Sequence, residues 1–201
     1  MLLEFSFNSL GQYLSNVRAI FILGVAHFSF VRALIFPCVF SMKVAAASYS
    51  AEIPSGFYDV AQKENVPVKL LWSLALNESQ VKTNLGRVIA WQYTLNHKGA
   101  GYYFNTANEL KAKINSLILS GETLFDVGIA QVNYHWHKDN FDSVDEMIDP
   151  HRNLTYAARY LKLHYKKTRN WWQAVGLYHS PRNGVDAHKY RQRVKAIWET
   201  L

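Results

Sequence analysis

Pro67-Val68-Lys69-Leu70-Leu71-Trp72-Ser73-Leu74-Ala75-Leu76-Asn77-Glu78-Ser79 is the stretch that decides the fold of this 201-residue chain. Proline is well suited to the first turn of a helix, and the residues after it point apolar side chains in almost every direction. A helix of that kind has to be buried, so the rest of the domain must pack around it. Glu78 is then delivered from the C-terminal end of a buried helix. Its carboxyl loses hydration there and faces the negative end of the helix dipole, and both effects favour the protonated form. A carboxyl that keeps its proton near neutral pH is what a general acid requires.

Outward from this helix, the pattern is mainly helical. Residues 56–64 read as a short helix, and Asn65-Val66-Pro67 resets the chain before the buried one. Residues 88–95 are rich in β-branched and aromatic side chains. The turn-like residues 97–101 and Tyr102-Tyr103-Phe104 follow, which predicts one small β-hairpin after the helix that carries Glu78. Thr106 with Glu109 forms a capping box for a helix with Leu110, Ile114, Leu117 and Ile118 on one face and Gly121 as its stop. Residues 126–133 read as a loop or short helix. Ser143 with Glu146 offers another cap, and Asp149-Pro150 opens a long helix to residue 167 with Leu154, Ala157, Ala158, Leu161 and Tyr165 inward. Two more helices, over residues 171–178 and 187–198, are separated by the breaker Ser180-Pro181-Arg182-Asn183-Gly184. The expected class is α+β, predominantly α.

The length allows one domain with a proper core and a short appendage. The appendage is N-terminal. Residues 19–42 are mostly apolar, but His27 and Arg32 interrupt them, which argues against a clean membrane span. Arg32, the apolar run to Met42 and then Ala45-Ala46-Ala47 read as an export signal with a small-residue cleavage site, the alternative being a retained N-terminal anchor. Residues 48–201 are then the functional domain. Cys38, the single cysteine, lies in the appendage, so residues 48–201 carry no thiol, as suits an oxidising compartment. Without residues 1–47 the formal charge falls from +7 to +5. The excess is concentrated in residues 152–169 and 182–195, where it reads as solvated helix faces. Nucleic acid is not the expected partner, because that would want a denser basic stripe interleaved with exposed aromatics. An anionic polymer such as cell-wall glycan with its peptide carboxylates suits the charge as well.

Four motifs occur in order: Ala75-Leu76-Asn77-Glu78-Ser79, Gly128-Ile129-Ala130-Gln131-Val132-Asn133, Asp149-Pro150 with Asn153-Leu154 and Ala158-Arg159-Tyr160-Leu161, and Ala174-Val175-Gly176-Leu177-Tyr178-His179. Together they resemble the lytic transglycosylase family, which has a lysozyme-like fold and is built on a Glu-Ser pair, a Gly-x-x-Gln-x-Asn stretch and an Ala-x-x-x-Tyr-Asn stretch. A narrower likeness is carried by Trp91-Gln92-Tyr93-Thr94-Leu95-Asn96 and residues 126–133. These are similar to transglycosylases encoded with conjugative and integrative-element transfer systems, which open the wall locally for a transfer or secretion apparatus.

The resemblance implies that Glu78 is the single catalytic acid/base. It would protonate the glycosidic oxygen between N-acetylmuramic acid and N-acetylglucosamine, and the muramyl 6-hydroxyl would then close a 1,6-anhydro ring. An intramolecular nucleophile needs no second carboxylate to activate water. Gln131 and Asn133 would bind sugar acetamido and hydroxyl groups, Asn133 being equally suited to capping a short helix. Tyr178 matches the family tyrosine whose hydroxyl contacts the catalytic carboxyl. Ser79 would bond substrate or cap the helix end. His179 stands where the family has Asn, and reads as a half-buried structural histidine. Asp126 is the possible second carboxylate, with loop chemistry as its plainer role.

No metal site is expected, since His135-Trp136-His137 lacks His-Glu-x-x-His spacing and a cysteine partner. No cofactor is implied. Trp91, Tyr93, Tyr102, Tyr103 and Trp136 are able to stack on sugar faces, with core packing the plainer reading of each. Asn153-Leu154-Thr155 matches a glycosylation sequon, which carries no weight where a bacterial protein is the expectation. The expected protein is a periplasmic, monomeric enzyme acting on peptidoglycan strands, with components of a transfer or secretion machine as partners. Its rivals are a muramidase using Glu78 with Asp126, a glycan-binding assembly factor without turnover and, more distantly, a DNA-associated transfer protein.

Overall fold

The computed structural model describes residues 48–49 and 52–201, so the export or anchor segment, residues 1–47, lies outside the described residues. The buried helix forms as the sequence requires. It is α2 (Val68–Ser79), with Pro67 at its N-cap and Leu70, Leu71, Trp72, Ser73, Leu74, Ala75, Leu76 and Ser79 all buried. Ser73 is tolerated in this setting because its hydroxyl donates back to the Lys69 carbonyl at 2.8 Å. Around α2 pack α1 (Ser55–Glu64) and α8 (Val185–Thr200). Phe57 of α1 meets Trp72 edge to face at 4.8 Å.

The remaining helices are α3 (Ala107–Leu119), the short α4 (Tyr134–His137) and α5 (Val144–Ile148), the long α6 (Pro150–Thr168) and α7 (Trp171–His179). Their starts follow the capping chemistry. Thr106, Ser143 and Asp149 each accept a bond from the backbone N–H three residues on, and Pro150 begins α6. The α6 residues Leu154, Ala157, Ala158 and Leu161 are buried, whereas Tyr165 is half-buried and stacks on Trp171 at 3.9 Å. No helix among the described residues is long and apolar enough to cross a membrane.

The β structure is richer than one hairpin. Strands β1 (Ser48–Tyr49), β2 (Gln80–Lys82) and β3 (Arg87–Ala90) form one sheet in the order β1-β3-β2. Strands β4 (Thr94–His97), β5 (Ala100–Tyr103), β6 (Phe125–Val127) and β7 (Val132–Asn133) form a second, in the order β5-β4-β6-β7. The expected strand over residues 88–95 is therefore cut in two. At the break the Trp91 N–H donates to the Ser79 carbonyl at 2.8 Å, in register with the β2-β3 ladder, and the Trp91 indole donates to the Phe104 carbonyl at 2.8 Å. The expected hairpin survives as β4-β5, joined by Lys98-Gly99 with φ of 53° and 81°.

Residues 126–133 are also a hairpin, β6-β7, rather than a loop or short helix. Its turn is held by Asn153 of α6, which is fully buried. The Asn153 amide accepts from the Ala130 N–H at 3.0 Å and donates to the Val127 and Met147 carbonyls, both at 3.0 Å. Such a residue is unreachable as a glycosylation acceptor. Gly128, at φ +81°, lies against the same side chain, and a Cβ there would stand 2.7 Å from Asn153 Nδ2. Gly128→Ala should therefore destabilise the domain by about 2 kcal/mol or more, from left-handed backbone strain plus overpacking. Urea unfolding of this variant checks the value, and an unchanged midpoint would contradict the packing described.

Candidate functional site

Glu78 occupies the last turn of α2 and opens into a cleft of about 620 Å³. The cleft is shared with Asp126, Gln131 and Asn133 of the β6-β7 hairpin, Tyr178 and His179 of α7, and aromatic side chains of α4 and α6. As a residue Glu78 is half-buried, with its carboxyl in a setting enclosed enough to be strongly desolvated. Burial is the main reason its pKa rises from 4.5 to about 8. The hydrogen bond from Tyr190 works against that rise, the negative charge of Asp126 adds to it, and Arg193 opposes it. At neutral pH Glu78 therefore holds its proton.

Tyr190 of α8 is the partner of Glu78, its hydroxyl donating to Glu78 Oε1. Asn77 in turn hydrogen-bonds the Tyr190 side chain. The sequence suggested Tyr178 for this contact. Instead, the Tyr178 hydroxyl donates to the Ala130 carbonyl at 2.8 Å, which ties α7 to the turn that presents Gln131. A phenol has a single proton to donate, and for Tyr178 a backbone carbonyl takes it. The signal that would have found Tyr190 is its place among the buried positions Ala187, Tyr190, Val194 and Ile197 of an otherwise charged helix. Close approach of α7 and α8 brings it there, since a Cβ on Gly176 would lie 3.0 Å from the Ala187 carbonyl.

Ser79 does not face the substrate. It is 2 % exposed, and its hydroxyl is shared between the Ala75 carbonyl at 3.1 Å and the Ile129 carbonyl at 2.7 Å. It fastens the β6-β7 turn to the end of α2, which makes it a structural residue and corrects the substrate-binding role expected of it.

Gln131 is brought to the cleft by that turn and sits at φ 46°, a backbone conformation rare for a side-chain-bearing residue. Its Nε2 donates to Thr94 Oγ1 at 2.7 Å and to the Gly128 carbonyl at 2.9 Å. Both its amide protons are thereby used, which turns its oxygen into the group available to an incoming donor. Asn133 does two things at once. Its oxygen caps α4 by accepting from the Trp136 N–H, and its Nδ2 donates to Asp126 Oδ1 at 2.8 Å.

Asp126 lies on β6 between Asn96 and Asn133 in register, and faces the same cleft as Glu78. Burial raises its pKa, while the Asn133 bond and His179 lower it. His179 is more exposed than the structural histidine expected. Its ring lies flat on that of Tyr190, 4.5 Å away and 4° from parallel. Burial and Arg193 lower its pKa, while Asp186 and Asp126 raise it.

Among the sugar-stacking candidates, Trp136 is 71 % exposed and lines the cleft. Tyr102 and Tyr103 of β5 are exposed too, without lining the cleft, so core packing fails as a reading for these three. Trp91 and Tyr93 are partly buried. His135 and His137 turn to different partners, Thr123 and Tyr156. Among the described residues no group of three or more potential metal ligands is gathered.

One acid held protonated in a cleft, an amide turn beside it and a second carboxylate within electrostatic reach is an arrangement for acid-catalysed cleavage of a glycan. The family model of the transglycosylase SLT domain matches residues 57–201. The chain belongs to that family. It is a peptidoglycan lytic transglycosylase. Comparison with curated proteins and with solved structures found no match.

In this transglycosylase the Tyr190 bond favours the carboxylate form of Glu78, so removing it must push the pKa further up. Tyr190→Phe should shift the alkaline limb of the pH–rate profile above that of the wild type, near pH 8, and slow turnover roughly tenfold. Release of soluble fragments from wall sacculi across pH 5–10 measures both. A slower enzyme with an unmoved limb would make Tyr190 merely structural.

Proposed function

We propose that the chain cleaves the β-1,4 bond between N-acetylmuramic acid and N-acetylglucosamine without water. Glu78 gives its proton to the glycosidic oxygen as the bond to muramyl C1 breaks, and the N-acetylglucosamine leaves with a free 4-hydroxyl. The muramyl 6-hydroxyl attacks C1 of the same sugar, and its proton passes to the Glu78 carboxylate. The product is a 1,6-anhydro ring, and the enzyme returns to its starting protonation state. The observation that carries this reading is Glu78 itself, a single buried carboxyl with a pKa of about 8 and a phenol donor at one oxygen. Such a group suits both halves of the reaction, because it gives up and regains a proton near working pH. The Gln131 carbonyl oxygen, in this scheme, orients a sugar hydroxyl or acetamido N–H.

Asp126 is held by Asn133, and its charge raises the Glu78 pKa. We assign it the work of keeping the acid protonated and of stabilising positive charge at C1, rather than of activating water. Export to the periplasm and service to a conjugation or secretion machine belong to the same proposal. They are supported by the signal-like residues 19–47, by the absence of cysteine after Cys38 and by the likeness around Trp91.

Mass spectrometry of digested sacculi tests the chemistry. Fragments ending in anhydromuramyl, lighter by one water and free of label when made in ¹⁸O water, are expected. Glu78→Gln should slow their release at least 10²-fold, on the order of what a positioned general acid contributes. Reducing ends carrying solvent ¹⁸O would establish a muramidase instead. Undiminished release by the Gln variant would remove Glu78 from the mechanism.

A further inference from the structure

Four helices carry site residues toward one end and a different set of side chains toward the other. Glu78 lies in the last turn of α2 and Lys69 in its first; His179 ends α7 and Trp171 begins it. Tyr190 of α8 bonds Glu78 and Trp198 lies further along the helix, while Tyr156 of α6 lines the cleft and Tyr165 follows it. The helical rise puts about 12–14 Å between the two members of each pair. The far members meet one another. Lys69 Nζ lies over the Trp198 ring at 4.3 Å, Trp172 meets Trp198 edge to face at 5.7 Å, and Trp171 stacks on Tyr165 at 3.9 Å. The Arg169 N–H then closes α6 on the Tyr165 carbonyl at 2.7 Å.

This pole is basic. Residues 68–70, 165–174 and 194–200 hold Lys69, Lys166, Lys167, Arg169 and Lys195 against one acid, Glu199, which lies 3.8 Å from Lys195. No ion pair among the described residues involves Lys69, Lys166, Lys167 or Arg169. Lys166 and Lys167 suit the negative end of the α6 dipole, but Lys69 sits in the first turn of α2, where the dipole opposes a cation. The electrostatics of the helices themselves therefore do not account for the cluster.

Three of the six tryptophans are gathered here, Trp198 exposed and Trp171 and Trp172 half-buried. Lys69 occupies a face of Trp198 and Tyr165 a face of Trp171, the places on which a sugar ring or a nucleobase stacks. A lipid headgroup layer needs no open ring face. It accepts indole edges at the level of the headgroups, and its anionic phosphates attract Lys and Arg from the aqueous side. We propose that this pole docks on an anionic phospholipid surface, which turns the cleft away from the membrane and toward the wall. The use of that orientation rests on the peptidoglycan-cleaving reading, whereas the lipid contact does not.

The test uses the full chain and vesicles of phosphatidylcholine with or without phosphatidylglycerol, their acyl chains brominated near the headgroup. All six tryptophans follow residue 47, so quenching of their fluorescence reports on the domain whatever residues 1–47 do. Anionic vesicles should quench the emission, neutral vesicles should leave it unchanged, and about 0.5 M salt should abolish the effect. Lys69→Gln/Lys166→Gln/Lys167→Gln should lose the quenching, and Lys82→Gln/Lys113→Gln, on β2 and α3, should keep it. A shared urea midpoint marks both variants as folded, and if the triple variant unfolds, the exposed pair Lys166→Gln/Lys167→Gln takes its place. Equal quenching by the two kinds of vesicle, quenching that the triple variant keeps, or an equal loss in the control pair would overturn the proposal. So would an absence of quenching by anionic vesicles, and binding to DNA or lipid-free sacculi that the triple variant loses would then give the pole to another polyanion. Cleavage of sacculi by the wild-type chain is scored separately, which tells a failure of the wall chemistry from a failure of the lipid contact.

Discussion

The hydrogen bond between Tyr190 and Glu78 joins the last helix to the second, 112 residues apart in sequence, and the active site depends on it. It works against a second constraint, the burial that pushes the carboxyl up to about 8. Burial alone would leave an acid too reluctant to ionise, and a base must ionise in the next step. The phenol gives the carboxylate a partner when it forms. A folded-state pKa raised above the unfolded value of 4.5 means that the native state binds more protons between the two values. Stability contributed by neutral Glu78 is thus full below about pH 4.5 and declines as pH rises toward 8. The apolar packing of α2 offsets that loss at the pH where the acid has to work.

Much of the polar chemistry around Glu78 is spent on holding backbone. Asn153 satisfies one N–H and two carbonyls, Ser79 reaches the Ile129 carbonyl, Thr94 the Gly128 carbonyl, and Tyr178 the Ala130 carbonyl. All of them converge on the four-residue turn that presents Gln131. A turn with Gln131 in a left-handed conformation is held where it is by being over-determined from every side. The substrate therefore meets a preformed amide oxygen.

The helices were readable because their signals are local. Thr106, Ser143 and Asp149 mark starts by capping bonds, and Pro67 and Pro150 by a fixed φ, signals that a tertiary environment seldom overrides. Glu78 was readable from the apolar run before it. What escaped is long-range: the division of residues 88–95 between two sheets, and the pairing of residues 125–127 with 132–133. The exchange of Tyr178 for Tyr190 has the same origin. Both tyrosines lie at the site, and only the crossing of α7 over α8 decides which hydroxyl reaches the acid. Ser79 misled because its place in a motif says nothing of which way a hydroxyl points once a neighbouring turn supplies an acceptor.

The central claim is the protonation state of Glu78, and it can be measured directly. Carbon-13 NMR titration of the side-chain carboxyls, with the Glu78 resonance assigned by its absence in Glu78→Gln, gives the pKa in the folded protein. The account predicts a midpoint near 8, well apart from the other carboxylates. A midpoint near 4.5 would mean that Glu78 enters the reaction ionised, and it would contradict the role of acid built on its burial.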